Sequence, residues 1–407
     1  MSGLLQAPLR VGLNLVFLTP GEQGGMEVYA RELVRRLSVR PDLRLTAFVN
    51  HDGFGSDWGH AVDEVLVPVR ATDRKQWVTG EQWHLLPLVR AARCDLVHSL
   101  ASTSPVFGNF RRVTTIHDIS YKTVPNSHFG VLRLGMQMLV PAAAHASDRV
   151  IADSASTADD LVQHLRIARS KIDVVPLGVN ARPTVAPTSE AVLRSRLELG
   201  ARPVVLSVSA KRPHKNLTRL IEAHARLGHP RPVLVLPGYS TPHEAELKTL
   251  AGRLGTTHDV RFIGWVRTED LEGLYGLASL FAFPSLYEGF GLPPLEAMAR
   301  GVPVITSDRG SLGEVTGNAA LVVNPESVDA IAEALHRLLV DGRERLRLRA
   351  AGRDRAAMYT WERTAELTVA SYREAMRSDA RGTPRTLRAL RRSLPTLRRH
   401  LPVPLRM

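Results

Sequence analysis

The chain has 407 residues, 44% of them hydrophobic, and a formal net charge of +13, of which +8 falls on eight arginines after position 380 with no acidic residue among them. That length exceeds one ordinary core and predicts two domains of a soluble globular protein. A single cysteine, Cys94, excludes an intrachain disulfide; with no basic-headed apolar leader and no run of about 18 apolar residues, the chain is expected to stay in the cytoplasm where it is made.

Residues 9–18, LRVGLNLVFL, read as a buried strand. Thr19 to Gly25 is a turn-rich loop, and Met26, Tyr29, Leu33 and Leu37 then repeat at helical spacing. The glycines at 21, 24 and 25 do not make the dinucleotide fingerprint G-x-G-x-x-G. A strand-to-helix turn carrying Gly24 and Gly25 still lets a phosphate or sugar come close to backbone; the plain alternative is a glycine turn with no ligand. Further strands are expected at 43–49, 65–69, 95–99, 112–116 and 149–152, with helices at 81–93, 132–145 and 156–165. Alternation of this kind predicts an α/β domain with a parallel sheet, whose ligands gather at the carboxyl ends of the strands. His117 stands there, directly after the strand ending at Ile116. An imidazole in that place can hydrogen-bond a sugar hydroxyl or move a proton, although a lone histidine after a strand is more often structural.

Prolines and glycines between residues 181 and 203 place the domain boundary. Beyond it, Val204 to Val208 is a strand and Ser209 to Asn216, SAKRPHKN, a loop with three cations, Lys211, Arg212 and Lys215, before a helix from Leu217 to Leu227. Cations at a strand's carboxyl end beside a helix start suit a diphosphate; the competing reading is a solvated basic turn. Strands at 233–236 and 260–263 and a helix opening at Thr268 follow. The stretch from Phe281 to Val304, FAFPSLYEGFGLPPLEAMARGVPV, is the densest in special residues. An apolar strand ends at Pro284, Gly289 and Gly291 bracket Phe290, Pro293 and Pro294 suit a first helical turn, and a second apolar run begins at Val302. The glycines leave room for a ligand against backbone, and a helix start attracts an anion. Glu288 and Glu296 flank that place, and a carboxylate only accepts hydrogen bonds, as sugar or ribose hydroxyls require. A strand at 321–323, a helix at 328–339 and a last helix from Trp361 to about Met376 complete the body.

In the tail, Leu387, Leu390, Leu394, Leu397 and Leu401 recur among arginines, while Pro384, Pro395, Pro402 and Pro404 interrupt. Two readings stand: a basic amphipathic segment of Arg381–Met407 lying on an anionic membrane surface, or a disordered basic tail.

The segment Glu288-Gly-Phe-Gly-Leu-Pro-Pro-Leu-Glu296 resembles the E-x7-E motif of the retaining GT-B glycosyltransferases of family four, and the similarity runs over almost all of residues 10–377. The resemblance implies two Rossmann-like parallel-sheet domains facing a cleft. They would be an acceptor-side domain at 1–182 and a nucleotide-sugar-binding domain at 183–360, with a helix at 361–377 crossing back and the tail from 378. It implies a donor site with Gly24 and Gly25 beside the diphosphate and Lys215 on it. The family's usual arginine slot is Ala210 here, which leaves Lys211 or Arg212 for the second cation. Val266 falls where the family holds the base. Gly289, Phe290, Gly291 and Leu292 line the donor, Glu288 holds the sugar and Glu296 the ribose, and His117 touches the transferred sugar.

The activity so implied is retaining transfer from a nucleotide-diphosphate sugar, GDP-mannose ahead of a UDP-sugar, to a glycan or lipid-linked acceptor. No divalent metal is expected, since no compact Asp/His cluster stands out. Two rivals remain from the residues alone. A glycoside hydrolase also uses two carboxylates but needs no cations. A non-catalytic membrane- or nucleic-acid-binding protein rests on the tail, whose arginines lack the aromatic partners that stack bases.

Overall fold

The computed structural model describes residues 7–21, 24–59, 61–124 and 130–377. The chain divides into two compact units: the described residues of Met1–Ile119, His128–Pro176 and Trp361–Met407 form the first, those of Ser120–Ser127 and Leu177–Thr360 the second. The basic tail, and with it both readings of that segment, lies outside the described residues.

Among the described residues, the first unit carries one parallel sheet of β1 (Leu9–Leu15), β2 (Leu43–Val49), β3 (Val62–Leu66), β4 (Leu96–Ser99), β5 (Arg111–Ile116), β6 (Arg149–Ala152) and β7 (Ile172–Val174). Their order is β3-β2-β1-β4-β5-β6-β7. The strands are apolar on consecutive positions because helices cover both faces, and Val11, Leu13, Leu45, Ala47, Val113 and Val150 are all buried. The last helix, Trp361–Arg377, belongs to this unit. Its Tyr372 hydroxyl lies 2.8 Å from His98 Nδ1 on β4, and Thr364 Oγ1 donates to the Pro176 carbonyl at 2.8 Å.

The second unit repeats the plan. Its described strands are β8 (Val204–Leu206), β9 (Val233–Leu236), β10 (Val260–Phe262), β11 (Leu280–Phe283), β12 (Val304–Thr306) and β13 (Leu321–Val322). They pair in parallel in the order β10-β9-β8-β11-β12-β13. In each sheet the order reverses beside the first strand, between β1 and β4 and between β8 and β11. A crevice opens outside the carboxyl ends of the strands at such a reversal.

Several elements depart from the sequence expectation. The first strand stops at Leu15, because the Asn14 side chain accepts from Val16 N–H at 3.2 Å and Leu18 N–H turns back to the Leu15 carbonyl. The third strand is Val62–Leu66 and not 65–69, since Pro68 has no N–H for the ladder. Helical structure begins at Arg74, seven residues before expected, where Asp73 caps the N–H groups of Lys75 and Gln76. Helices His243–Arg253 and Gly342–Ala357 had no sequence counterpart. The second of these lacks a continuous apolar stripe because its arginines reach carbonyls at the ends of other helices. Arg345 donates to Leu338 and Leu339, Arg349 to Gly301, and Arg355 to Val315, each at 2.8–2.9 Å. Cations belong at helix C-termini, so part of the body's positive charge is internal stapling.

A π-helical turn, Gly80–His84, interrupts the helical stretch that runs from Arg74 to Ala91 and carries a buried glutamate, Glu81. Its Oε1 accepts from Asn14 Nδ2 at 2.8 Å and Thr103 Oγ1 at 3.0 Å. Burial outweighs these bonds and pushes the carboxyl up to about 7. The unfolded chain loses this proton first, so folding weakens as pH rises through the interval up to 7 and stays weakened above it. Glu81→Gln removes that dependence. Its stability relative to wild type is expected to improve by up to about 3 kcal/mol between pH 4 and pH 8. Parallel stability curves in urea titrations at the two pH values would show the assignment to be mistaken.

Candidate active site

In the second unit, the site is built where the strand order reverses. β11 is a fully buried apolar run, and Asn216 secures its end: Nδ2 donates to the carbonyls of Pro284 and Pro325 at 2.9 and 2.7 Å. Asn216 takes a left-handed conformation (φ 58°), which this residue type tolerates, and starts the helix Leu217–Ala225. The preceding Lys215 thereby faces the loop after β11. Its Nζ donates to both carboxylate oxygens of Glu288, at 2.7 and 2.9 Å, and sits 5.5 Å from the centre of the Phe283 ring. The two side chains are only 17% and 11% exposed, so the pair is held and not a flickering surface contact.

The Glu288 loop is braced from behind. Ser311 donates through N–H and Oγ to the Glu288 carbonyl, each at 3.1 Å, and through Oγ to Phe290 at 2.7 Å. Gly310 lies against the same carbonyl with φ 62°. Gly291, at φ 100°, opens the helix Leu292–Ala299 with no side-chain cap. Here one expectation needs correction: Pro293 and Pro294 occupy the first turn and carry no N–H, so the helix offers an anion fewer donors than the glycine-rich loop suggested. Along that helix Glu296 Oε2 accepts from the Tyr275 hydroxyl at 2.9 Å. Among the described residues its Oε1 has no partner. Burial raises the Glu296 carboxyl above its ordinary range, against the Tyr275 bond and the Arg300 charge. Arg300 itself is tied to Glu272, Nε to Oε2 at 2.8 Å, and to the Asn180 carbonyl at 2.6 Å.

Of the two candidates for a second cation, Lys211 is already engaged. Its side chain is fully buried, and Nζ donates to the carbonyls of Gly238 and Ile263, at 2.5 and 2.9 Å. Burial pulls its ammonium down to about 8. Lys211 is an internal strut between the loops after β9 and β10, and it cannot reach a donor without vacating both. Arg212 is exposed, and among the described residues its guanidinium has no partner. The braced loops carry Tyr239 and Trp265, whose rings stack at 4.6 Å, with Trp265 54% exposed and Val266 half-buried beside it.

The first unit holds the remaining candidates. Gly24 (φ 54°, ψ −125°) turns the chain into the helix Gly25–Ser38, where no side chain caps the start. Tyr29, one turn into that helix, is buried; its hydroxyl lies 2.8 Å from Thr115 Oγ1 and its ring meets His117 edge-on at 5.0 Å. His117 Nδ1 lies 2.7 Å from Asp153 Oδ2 and Nε2 lies 2.9 Å from the Leu100 carbonyl. Both ring nitrogens are therefore taken within the unit, and a sugar hydroxyl gains one only by displacing a present partner.

Each unit thus gathers its own candidates: Lys215, Glu288 and the 289–292 loop in the second, and Gly25 and His117 through Tyr29 in the first. Sequence reasoning missed Tyr275 and Asp153 as site residues, and gave Gly310 and Ser311 no role although the GSLGE stretch at 310–314 marks them.

Residues 23–182 match the family model described as glycosyltransferase family 4, and residues 190–355 the one described as glycosyl transferases group 1. The chain is 31% identical over 270 residues to O-antigen chain mannosyltransferase B of Escherichia coli, covering 65% of this chain and 70% of that one. It is 34% identical over 227 residues to the MMP alpha-(1->4)-mannosyltransferase of Mycolicibacterium hassiacum, covering 55% of this chain and 53%, about half, of that relative. Among solved structures, sucrose-phosphate synthase from Thermosynechococcus elongatus superposes with a TM-score of 0.76 at 23% identity, over 91% of this chain and all of that one, which speaks to the fold alone. With two Rossmann-like parallel-sheet units and these matches in order along it, the chain belongs to the GT-B glycosyltransferases of family 4.

Proposed function

We propose that this glycosyltransferase moves a sugar with retention from a nucleotide-diphosphate donor, GDP-mannose first and a UDP-sugar second, to a glycan or lipid-linked acceptor. Family membership removes the hydrolase and the non-catalytic readings. The observation that carries the proposal is the Lys215–Glu288 pair at the strand-order reversal. Within the pair each group neutralises the other. When a diphosphate takes the ammonium, Glu288 is released to accept from sugar hydroxyls, so donor binding itself arms the carboxylate. Lys215, with the exposed Arg212, then faces the charge that grows on the leaving diphosphate, and such stabilisation is often the largest catalytic term. Glu296 keeps Oε1 for a ribose hydroxyl, and Val266 flanks the base. In the first unit, Gly24 and Gly25 leave room for a phosphate or sugar against backbone.

The naming of both relatives as mannosyltransferases supports mannose as the sugar. We place the reaction without a divalent metal, at or near an anionic membrane surface. Among the described residues no helix is long and apolar enough to cross a membrane.

A thermal-shift panel of GDP, UDP, ADP and their sugars in EDTA tests the proposal. GDP and GDP-mannose are expected to stabilise the protein most, by about 2.7 kcal/mol at a hundredfold excess over Kd. No shift with any nucleotide diphosphate, or shifts only with added metal, would overturn it.

A further inference from the structure

His117 and Asp153 follow adjacent strands, β5 and β6, and Leu100 follows β4, so one imidazole spans the carboxyl ends of three neighbouring strands. The bonding leaves the ring little choice. A carbonyl oxygen only accepts, so Nε2 carries a proton toward Leu100. A carboxylate only accepts, so Nδ1 carries another toward Asp153. Neither nitrogen keeps a lone pair, and a ring without one cannot act as a base.

The carboxylate's surroundings agree. Asp153 is 1% exposed, and among the described residues Oδ1 has no partner and His117 is the side chain's one ion-pair partner. His98, on β4, is fully buried, and burial first, with His117 nearby, pushes its imidazole down to about 3. It is therefore a neutral histidine, joining Tyr372 to Thr115. Burial alone would lower the His117 imidazole too. The charge and hydrogen bond of Asp153, the Leu100 carbonyl and the charge of Asp118 together raise it instead. The remaining group packed on the ring is the Tyr29 phenol, which burial keeps neutral.

We propose that Asp153 is a positioning residue of this glycosyltransferase: with the Leu100 carbonyl it holds His117 as a two-donor ring with no free lone pair, so that His117 serves transfer as a fixed, non-basic group and not as a proton-transfer group. This rests on the glycosyl-transfer reading above and deepens it by assigning the first unit a ring that neither takes nor gives a proton. Asp153 touches no reacting atom; it acts through the ring it holds.

The test uses the full chain and reads His117 itself as well as turnover. Wild-type His117 is expected to show the ring 15N shifts of imidazolium at pH 7.5, and kcat/KM to show no imidazole inflection between pH 6 and 8. Asp153→Asn keeps an acceptor for Nδ1 but removes the charge. His117 should then titrate below its ordinary value, and kcat/KM should fall by about 100-fold at pH 8 while recovering toward pH 5.5. Asp153→Glu should restore the flat profile. A neutral His117 ring in the wild type, or an Asp153→Asn profile parallel to wild type, would overturn the proposal. Nucleotide-induced thermal shifts are measured separately, so a failure here is distinguishable from failure of donor binding.

Discussion

Glu288→Ala is expected to lower kcat for sugar transfer by about 1,000-fold while leaving GDP binding unchanged or tighter. The direction of the second effect is the informative part. Glu288 holds both of its oxygens on Lys215 Nζ, so a diphosphate would compete with a carboxylate for the same ammonium. Removing the carboxylate removes the competitor. It also leaves a mostly buried lysine without its partner, at a stability cost of about 1–3 kcal/mol. Glu288→Gln separates the contributions, since an amide keeps the shape and one acceptor but not the charge. Lys215→Met should show the opposite pattern, with GDP affinity lost. Calorimetric titration with GDP and a radiolabelled-sugar transfer assay read the two halves. Near-normal transfer in Glu288→Ala would remove the central site assignment.

The second large effect comes from a residue that touches no ligand. Gly310→Ala is expected to reduce transfer about 100-fold and to destabilise the second unit by about 2–4 kcal/mol. At φ 62° an alanine is already strained, and its Cβ would lie 2.3 Å from the Glu288 carbonyl oxygen and 3.0 Å from the Glu288 nitrogen. Both neighbours are backbone, which cannot swing aside as a side chain does. The loop must move, and Ser311 then loses its two bonds to that carbonyl. Gly313→Ala is the control three residues on, where the nearest atoms to a Cβ stand at 3.8 Å and no left-handed conformation is required. Kinetics and urea melts of the two variants should diverge sharply, and equal behaviour would mean that the Glu288 loop is not held by this contact.

The fold was legible where burial on both faces writes a continuous apolar run. β2, β6 and β9 begin and end where the sequence placed them. It was illegible where a helix is held by polar reach instead of an apolar stripe, as in Gly342–Ala357 with its carbonyl-binding arginines. The site divides the same way. Glu288 and Lys215 stand out because special residues crowd around them, and the structure joins them. Lys211 looked equivalent to Lys215 in a string of cations; only the folding of the loops after β9 and β10 over its ammonium separates them. Asp153 was unreadable, since it sits in a Ser-rich helix cap and meets His117 across 36 residues. His117 itself was readable as a candidate, but its bonding partners, which decide what it can do, lie on neighbouring strands.

The last helix completes the first unit from the far end of the chain, and this bears on synthesis. His98 and Tyr372 are 274 residues apart, so at 5–20 residues per second the ribosome takes roughly 14–55 s to supply the partner. During that interval β1–β7 exist as a nascent sheet with an uncovered flank, while the intervening segment from Leu177 to Thr360 emerges whole and is free to fold ahead of them. The first unit is therefore completed only at the end of synthesis, and a chain that stops before Trp361 lacks the helix carrying the partner of His98.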